Sequence, residues 1–324
     1  MKQESNRFTI YLQKLGGFIE EADREGDQAK WLLKSNARGI LFMLEALARI
    51  YSVISDQNLF GKLIIKFKDF EDGLGKMDFC FSVEEQFKIN KNIPKKYLHY
   101  FKEKSTRKTD ELNSLLTKEE WISNNDNSIS KITKKLEKLD WMDVPEETLA
   151  ISGYYKSEIT KINKFINKTN FQYSDIESDV HELRRKLRWL SIYPQALQGV
   201  FQFNSNITTE SHLAKYLTKE IIASPFNQLP NATGNTDIIL LNKNYFLALS
   251  WMIAELGRLK DEGLILTGLA EAIMETDGMN HDEAMIKAYS LLGESQSKMP
   301  EILKQAEVIS KVFFSENNLE HLLA

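Results

Sequence analysis

Residues 174–190 form the segment that most restricts what this chain can fold into. Apolar residues recur in it at the spacing of one buried helical face: Ile176, Val180, Leu183, Leu187 and Leu190. His181, Arg184 and Arg188 follow one another at i, i+3 and i+7, one residue further round the same helix. Because this basic stripe borders the apolar stripe, we expect it to face a cleft between helices, and such a cleft suits a polyanion.

The composition favours long helices. Fifteen glycines and six prolines are few for 324 residues, whereas an all-β fold would need many turns. Hydrophobic residues make up 42% and charged residues 27% of the chain, which are ordinary globular values. The net charge of −4 argues against a general nucleic-acid binder, whose footprint is strongly basic. Any anion site must therefore be a local concentration of positive charge.

The sequence predicts a cytoplasmic protein without a membrane span. Cys80 is the only cysteine, which excludes an intramolecular disulfide. The first residues lack the apolar run of a signal peptide. The most apolar region, 39–54, contains Glu45 and Arg49, and no stretch reaches the ~18 uninterrupted apolar residues of a spanning helix.

Helical periodicity runs through most of the chain, so we predict an all-α fold. Ser174 and Glu177 form a capping-box pattern at the start of one helix. The one candidate strand is 238–241, which follows a predicted loop at 225–236. The predicted helices cover 3–24, 27–53, 58–81, a segment opened by Pro94, 145–168, 174–201, 208–223, 241–275, a segment capped by Asn280, and 299–315.

A division of the chain is predicted near residue 143. The run Asp143-Val144-Pro145-Glu146-Glu147 has the acidic first turn and early proline of a helix start. We therefore expect two helical bundles, 1–142 and 143–324.

Two short segments indicate an internal duplication. Leu74-Gly75-Lys76 and Leu256-Gly257-Arg258 share a Leu-Gly-basic pattern late in a helix, where a glycine costs up to ~1 kcal/mol relative to alanine. The helix before each also compares: Arg38 matches Arg184, Leu41 matches Leu187, and Leu44 matches Leu190. The pattern predicts two pseudo-symmetric antiparallel bundles with close helix crossings at the glycines, and coincidence between amphipathic segments is the alternative.

These residues resemble the CHAD family, the conserved-histidine α-helical domain. His181, Arg184 and Arg188 match the family's basic helix, and Arg185 and Lys186 add charge there. The resemblance implies an all-α fold of two four-helix halves, with a basic central groove between them that binds inorganic polyphosphate. The residues expected to bind the polyanion are His181, Arg184, Arg185, Arg188, Arg38, Lys34, Lys62, Lys66 and Arg258.

The first half departs from the family pattern. Ser35 stands where the histidine belongs and Phe42 where a later arginine belongs, and Glu45 puts an acid seven residues after Arg38. An alternative reading follows from these departures. In it, the chain keeps the fold as a helical scaffold for protein contacts, and its basic residues are paired internally.

No enzyme signature is found. The chain has no Walker motif, no Gly-x-Ser-x-Gly and no Gly-x-Gly-x-x-Gly, and none of its histidines completes a Glu-x-x-His motif. We therefore expect no catalytic residues, no metal site and no cofactor. The expected partner is inorganic polyphosphate, with no specific nucleic acid and no membrane; a protein partner or a second copy of the chain is the alternative.

Overall fold

The computed structural model describes residues 3–123, 127–204, 210–232, 237–293 and 296–323, and these are mostly helical. The predicted all-α class is confirmed. The α-helices are α1 (Gln3–Ala22), α2 (Gln28–Lys34), α3 (Ala37–Ile54), α4 (Gln57–Ile89), α5 (Lys95–Lys118), α6 (Ser128–Leu136), α7 (Val144–Thr169), α8 (Glu182–Ala196), α9 (Lys219–Ala223), α10 (Lys243–Asp277), α11 (His281–Leu292) and α12 (Met299–Ser315).

The chain divides into two compact units. The first contains 1–142 and 268–292, and the second contains 143–267 and 293–324. The chain passes from the first unit to the second after Met142. The sequence does not anticipate that 268–292 belongs with the first unit, so that helix α10 contributes residues to both.

The first unit is organised around α4. This helix packs against α3 on one side and α5 on another, and α1 packs against α3 and α6. Four aromatic rings meet in the core: Phe8, Tyr51, Phe60 and Trp141, with Tyr51 and Trp141 only 5.2 Å apart in an edge-on arrangement. These rings come from α1, α3, α4 and the segment after α6, so their burial stabilises the packing of these four parts of the unit against one another.

The helix predicted over 27–53 is two helices. Asp27 caps α2 by accepting a hydrogen bond from the backbone of Lys30, as expected at a helix start. Asn36 then adopts a left-handed conformation with φ of 62°, which breaks the chain before α3. Asparagine tolerates this conformation better than most residues, and helical periodicity on either side conceals the break.

The second unit is built from α7, α8, the first part of α10 and α12. The hydroxyl of Tyr155 donates a hydrogen bond to the backbone carbonyl of Leu190 at 2.9 Å, which fixes α7 against α8. The hydroxyls of Tyr154 and Tyr193 are 3.0 Å apart across the same contact. Both hydrogen bonds lie in the interior, where unpaired hydroxyls would be costly.

A small parallel sheet in this unit was only half predicted. The candidate strand at 238–241 is present as β2 (Ile239–Asn242), and it pairs with β1 (Phe201–Asn204). Because α8 ends at Ala196, the helix predicted to reach residue 201 is too long. The chain then turns through Gln198 and Gly199, whose φ angles are 50° and 97°. Four-residue strands are too short to display a period of two.

The segment between the two strands is less helical than predicted. In place of one helix over 208–223, the structure has a 3₁₀ turn at Ser211–Lys215 and the short helix α9. The first two residues of that prediction lie outside the described part of the chain. A second 3₁₀ turn, Pro225–Asn227, begins the predicted loop. None of the helices described is both long and apolar enough to cross a membrane.

Candidate anion-binding site

The basic stripe of the second unit starts in an unusual helical turn. Residues Ile176–His181 form a π-helix that continues directly into α8. Asp175 caps it by accepting hydrogen bonds from the backbone N–H groups of Glu177 and Ser178. The predicted capping box of Ser174 and Glu177 is therefore wrong, because the side chain of Asp175 accepts the hydrogen bonds from the free N–H groups of the first turn.

The apolar and basic stripes lie side by side as the spacing predicts. The five apolar positions are all buried: Ile176, Val180, Leu183, Leu187 and Leu190. His181, Arg184 and Arg188 are half-buried, whereas Arg185 is exposed. The half-buried positions border the core, and they are the ones that can face a ligand without being fully solvated.

His181 is paired with an acid of its own helical turn. Its Nδ1 lies 2.6 Å from a carboxylate oxygen of Glu177, four residues earlier. The hydrogen bond from His181 lowers the pKa of the Glu177 carboxyl, and its effect outweighs the opposing effect of burial. Glu177 is therefore ionised at neutral pH, and an incoming phosphate would have to compete with it for the imidazole.

Arg184 lies across a glycine of α10. A Cβ built on Gly257 would stand 2.9 Å from Nε of Arg184, too close for any ordinary contact. The same Nε donates a hydrogen bond to the backbone carbonyl of Ile253 at 3.2 Å. The missing side chain at Gly257 thus makes the groove on α10 into which the arginine fits.

Arg185 and Lys186 share one carboxylate. Both form ion pairs with Glu182, the first residue of α8. Lys186 also lies 5.4 Å from the centre of the Phe165 ring. Arg258, on the exposed side of α10, pairs with Glu255 and, at 2.6 Å, with Glu262.

Arg38 of the first unit occupies a comparable position against α4. A Cβ built on Gly75 would stand 2.6 Å from Nη2 of Arg38. The guanidinium pairs with Glu71 at 2.6 Å and with Asp78 at 3.1 Å. It also lies 5.6 Å from the centre of the Phe42 ring. Two carboxylates therefore neutralise this arginine.

Glu45, which follows Arg38 by seven residues in α3, is not one of the carboxylates that pair with Arg38. Glu45 points into the interior, is only 2% exposed, and pairs with Arg49 at 2.7 Å. Burial raises the pKa of the Glu45 carboxyl in spite of that pairing. Arg38 therefore pairs with Glu71 and Asp78 of α4 and not with Glu45, because spacing along α3 alone cannot show which acids another helix supplies.

The three candidate lysines in the first unit do not share the site of Arg38. Lys66 donates to the backbone carbonyl of Glu119 at 2.9 Å and pairs with its carboxylate at 3.2 Å. Lys66 precedes Gly75 by nine residues, roughly two and a half turns of an α-helix, so the two residues lie on opposite faces of α4. Lys62, one turn before Lys66, and Lys34, at the end of α2, are both exposed.

The nine candidate cations therefore divide between the units. Lys34, Lys62, Lys66 and Arg38 belong to the first unit, and the others belong to the second. Sequence reasoning missed the residues that flank the two glycines: Glu71 and Asp78 around Gly75, and Ile253 and Lys260 around Gly257. These residues stand four positions before and three positions after each glycine, on the same face of the helix, and this spacing could have identified them from the sequence.

The site offers positive charge and hydrogen-bond donors. Within the described ranges, no three residues of the histidine, cysteine, aspartate and glutamate types are grouped so that they could hold a metal ion. The single cysteine, Cys80, is buried, and burial raises the pKa of its thiol.

Comparison of the chain with models of known protein families, with characterised proteins and with solved structures finds no match.

Proposed function

We propose that this chain is a non-enzymatic helical scaffold for protein contacts, and that its basic residues serve mainly to hold its own helices together. The observation that carries the proposal is the neutralisation of Arg38 by Glu71 and Asp78. The pairing of His181 with Glu177 supports it from the other unit. Cations already held by carboxylates attract a polyanion poorly, because the ligand must displace a partner that is fixed in place.

An internal duplication is part of the proposal. Arg38 lies across Gly75 and Arg184 lies across Gly257, each arginine near the start of one helix and each glycine near the middle of a long one. The same two residue types make the same unusual contact in each unit. A shared ancestry of the two units explains this more simply than two independent origins.

A CHAD-like architecture is the form of duplication that we favour. The paired arginine helices and the all-α fold support it. Under this proposal, the first unit has lost the basic stripe: Ser35 uses its hydroxyl to bond the backbone carbonyl of Leu32, and Phe42 packs beneath Arg38. A cytoplasmic location fits the single cysteine.

Weak polyanion binding by the second unit is the second candidate function. Relative to Gly75, the flanking positions hold Glu71 and Asp78; relative to Gly257, they hold Ile253 and Lys260. The second unit thus has an apolar residue and a lysine at the two positions that are acidic in the first unit, and Lys260 pairs with Asp261 at 2.6 Å. His181, Arg184 and Arg188 would then be the residues that contact inorganic polyphosphate, with Lys260 beside them.

The two candidates are separated by changing arginines in matched positions. The scaffold proposal predicts that Arg38→Ala and Arg184→Ala both lower the melting temperature and that neither alters polyphosphate binding. The second candidate predicts that Arg184→Ala weakens binding at low salt while Arg38→Ala does not. Circular dichroism melting and a fluorescence polarisation titration with labelled polyphosphate measure the two effects on the same samples.

A further inference from the structure

A cleft in the second unit lies away from the basic stripe and has its own chemistry. It has a volume of about 650 Å³ and lies where the last turn of α7 meets the last turn of α12. Clefts of this size are typical of small-ligand sites. Its distinctive lining residues are Asn163, Phe171, Phe314, Glu320 and Lys311.

Two aromatic rings form adjoining walls of the cleft. The centres of the Phe171 and Phe314 rings are 6.0 Å apart, and the ring planes are inclined at 55°. Both side chains are half-buried, so one part of each ring packs and another part faces the cleft. A cation is attracted to an aromatic ring within about 6 Å of its centre, so one ammonium group can contact both rings.

The chain reaches this geometry through an uncommon backbone conformation. After α7 ends, Asn170 and Phe171 both have positive φ angles, of 48° and 54°. A bulky residue rarely adopts this conformation, and it persists only where the surroundings hold it. The reversal turns the ring of Phe171 back toward α12, where it meets Phe314.

A carboxylate is fixed at the edge of the same cleft. The side-chain amide of Asn163 donates a hydrogen bond to a carboxylate oxygen of Glu320 at 2.8 Å. The carboxyl ends of α7 and α12 add partial negative charge, because helix dipoles point their negative ends there. Lys311 is the one cation among the lining residues described, and it is exposed.

We propose that this cleft binds an organic ammonium group, held against Phe171 and Phe314 and neutralised by Glu320. The group is an alkylated ammonium, either of a small metabolite or of a methylated lysine side chain. Alkylation suits the site because it spreads the charge over apolar surface, which the two rings cover. Lys311 opposes binding, so it sets the affinity below what the rings and the carboxylate would give alone.

The test is a titration of the full-length protein with tetramethylammonium, followed by nuclear magnetic resonance of methyl and aromatic groups. Phe314→Leu should weaken binding about three- to tenfold, because it removes one cation–π contact. Glu320→Gln should weaken it by a similar factor that shrinks at high salt. Lys311→Ala should strengthen binding several-fold, which a merely structural role of these residues would not produce.

Matched variants outside the cleft serve as controls. Phe226→Leu changes a ring that is 74% exposed in the same unit, and Glu220→Gln removes an exposed carboxylate there. Neither should alter the titration, and circular dichroism melting should show that all variants fold. Choline and a trimethyl-lysine peptide then identify the source of the ammonium group by their relative affinities. The proposal is overturned if tetramethylammonium produces no saturable shifts, or if Phe314→Leu and Glu320→Gln bind as tightly as the unchanged protein.

Discussion

Arg184 lies across Gly257 so closely that a Cβ at the glycine would stand 2.9 Å from its Nε. The contact of Arg38 with Gly75 has the same form in the other unit, with a corresponding distance of 2.6 Å. Each glycine makes its helix less stable than alanine would, but its lack of a side chain lets a guanidinium pack against the helix backbone.

Gly75→Ala should destabilise the protein although alanine favours the helix. Alanine contributes roughly 1 kcal/mol of helix propensity, but its Cβ displaces Arg38 from Glu71, leaving a buried carboxylate without its partner at a cost of about 1–3 kcal/mol. In an Arg38→Ala background, the same change should become stabilising. Denaturant unfolding of the four proteins of this cycle measures the reversal.

Gly61→Ala is the matched control on the same helix. Nothing lies within 4 Å of the Cβ that alanine would add there, so it should stabilise the protein in either background. If Gly75→Ala were equally stabilising with Arg38 present, the packing explanation of the glycine would be wrong.

Gly257→Ala should show the same dependence on Arg184. The added Cβ displaces the guanidinium from the backbone carbonyl of Ile253, so the change should destabilise the protein by about 1 kcal/mol, and it should become stabilising with Arg184→Ala. Gly153→Ala, in α7 with open space around the added methyl, is the control. Additive effects of the two changes at Gly257 and Arg184 would contradict the proposed equivalence of the two contacts.

Asp277 should make the first unit sensitive to acid. Hydrogen bonds from Lys287, Lys96 and Tyr97 lower the pKa of its carboxyl far below the usual range. A carboxyl with a lowered pKa contributes stability above the pKa of the unfolded chain, and this contribution is lost as pH falls through the folded value. Asp277→Asn should therefore lower the melting temperature at neutral pH and reduce its fall between about pH 4 and 2.

Asp282→Asn is the control for this effect, because the Asp282 side chain is 96% exposed. Its melting curves should follow those of the unchanged protein at every pH. Parallel curves for Asp277→Asn, displaced by the same amount throughout, would show that the hydrogen bonds to Asp277 do not couple stability to protonation.

Glu45 should have the opposite dependence on pH. Burial raises the pKa of its carboxyl, so the folded state holds a proton more tightly than the unfolded state. Its ionisation therefore opposes folding above the folded-state pKa, and that cost disappears as pH falls through this pKa to below the unfolded value. Glu45→Gln should be most favourable, relative to the unchanged protein, near neutral pH. Urea unfolding at pH 7 and pH 4 measures the difference, and a larger relative gain at pH 4 would contradict the assignment.

The sequence was sufficient to predict the helical class and the buried stripe of α8. Leu183, Leu187 and Leu190 are buried at the predicted spacing, because helical period depends on local sequence. It could not predict that Asn36 divides one helix into two, since a left-handed residue depends on the packing of its neighbours. The strand at Phe201–Asn204 was missed for a related reason: its partner lies far along the chain.

The candidate site was predicted less completely than the fold. Spacing placed His181, Arg184 and Arg188 on one face, and they do share it. Spacing within one helix cannot show which acids neighbouring helices supply, so the pairing of Arg38 with Glu71 and Asp78 was not foreseen. Hence a pattern that predicts a polyanion site is equally consistent with a set of internal ion pairs.

The most direct test of the scaffold proposal is a titration of the purified full-length protein with labelled inorganic polyphosphate at about 0.15 M salt, repeated at low salt. Phosphate contacts release counterions, so any weak binding by the second unit should appear only at low salt and fall steeply as salt rises. We predict no saturable binding at the higher salt, because His181 is held by the carboxylate of Glu177 and Arg38 by that of Glu71. Tight binding that persists at about 0.15 M salt, and that Arg184→Ala abolishes without lowering the melting temperature, would contradict the proposal.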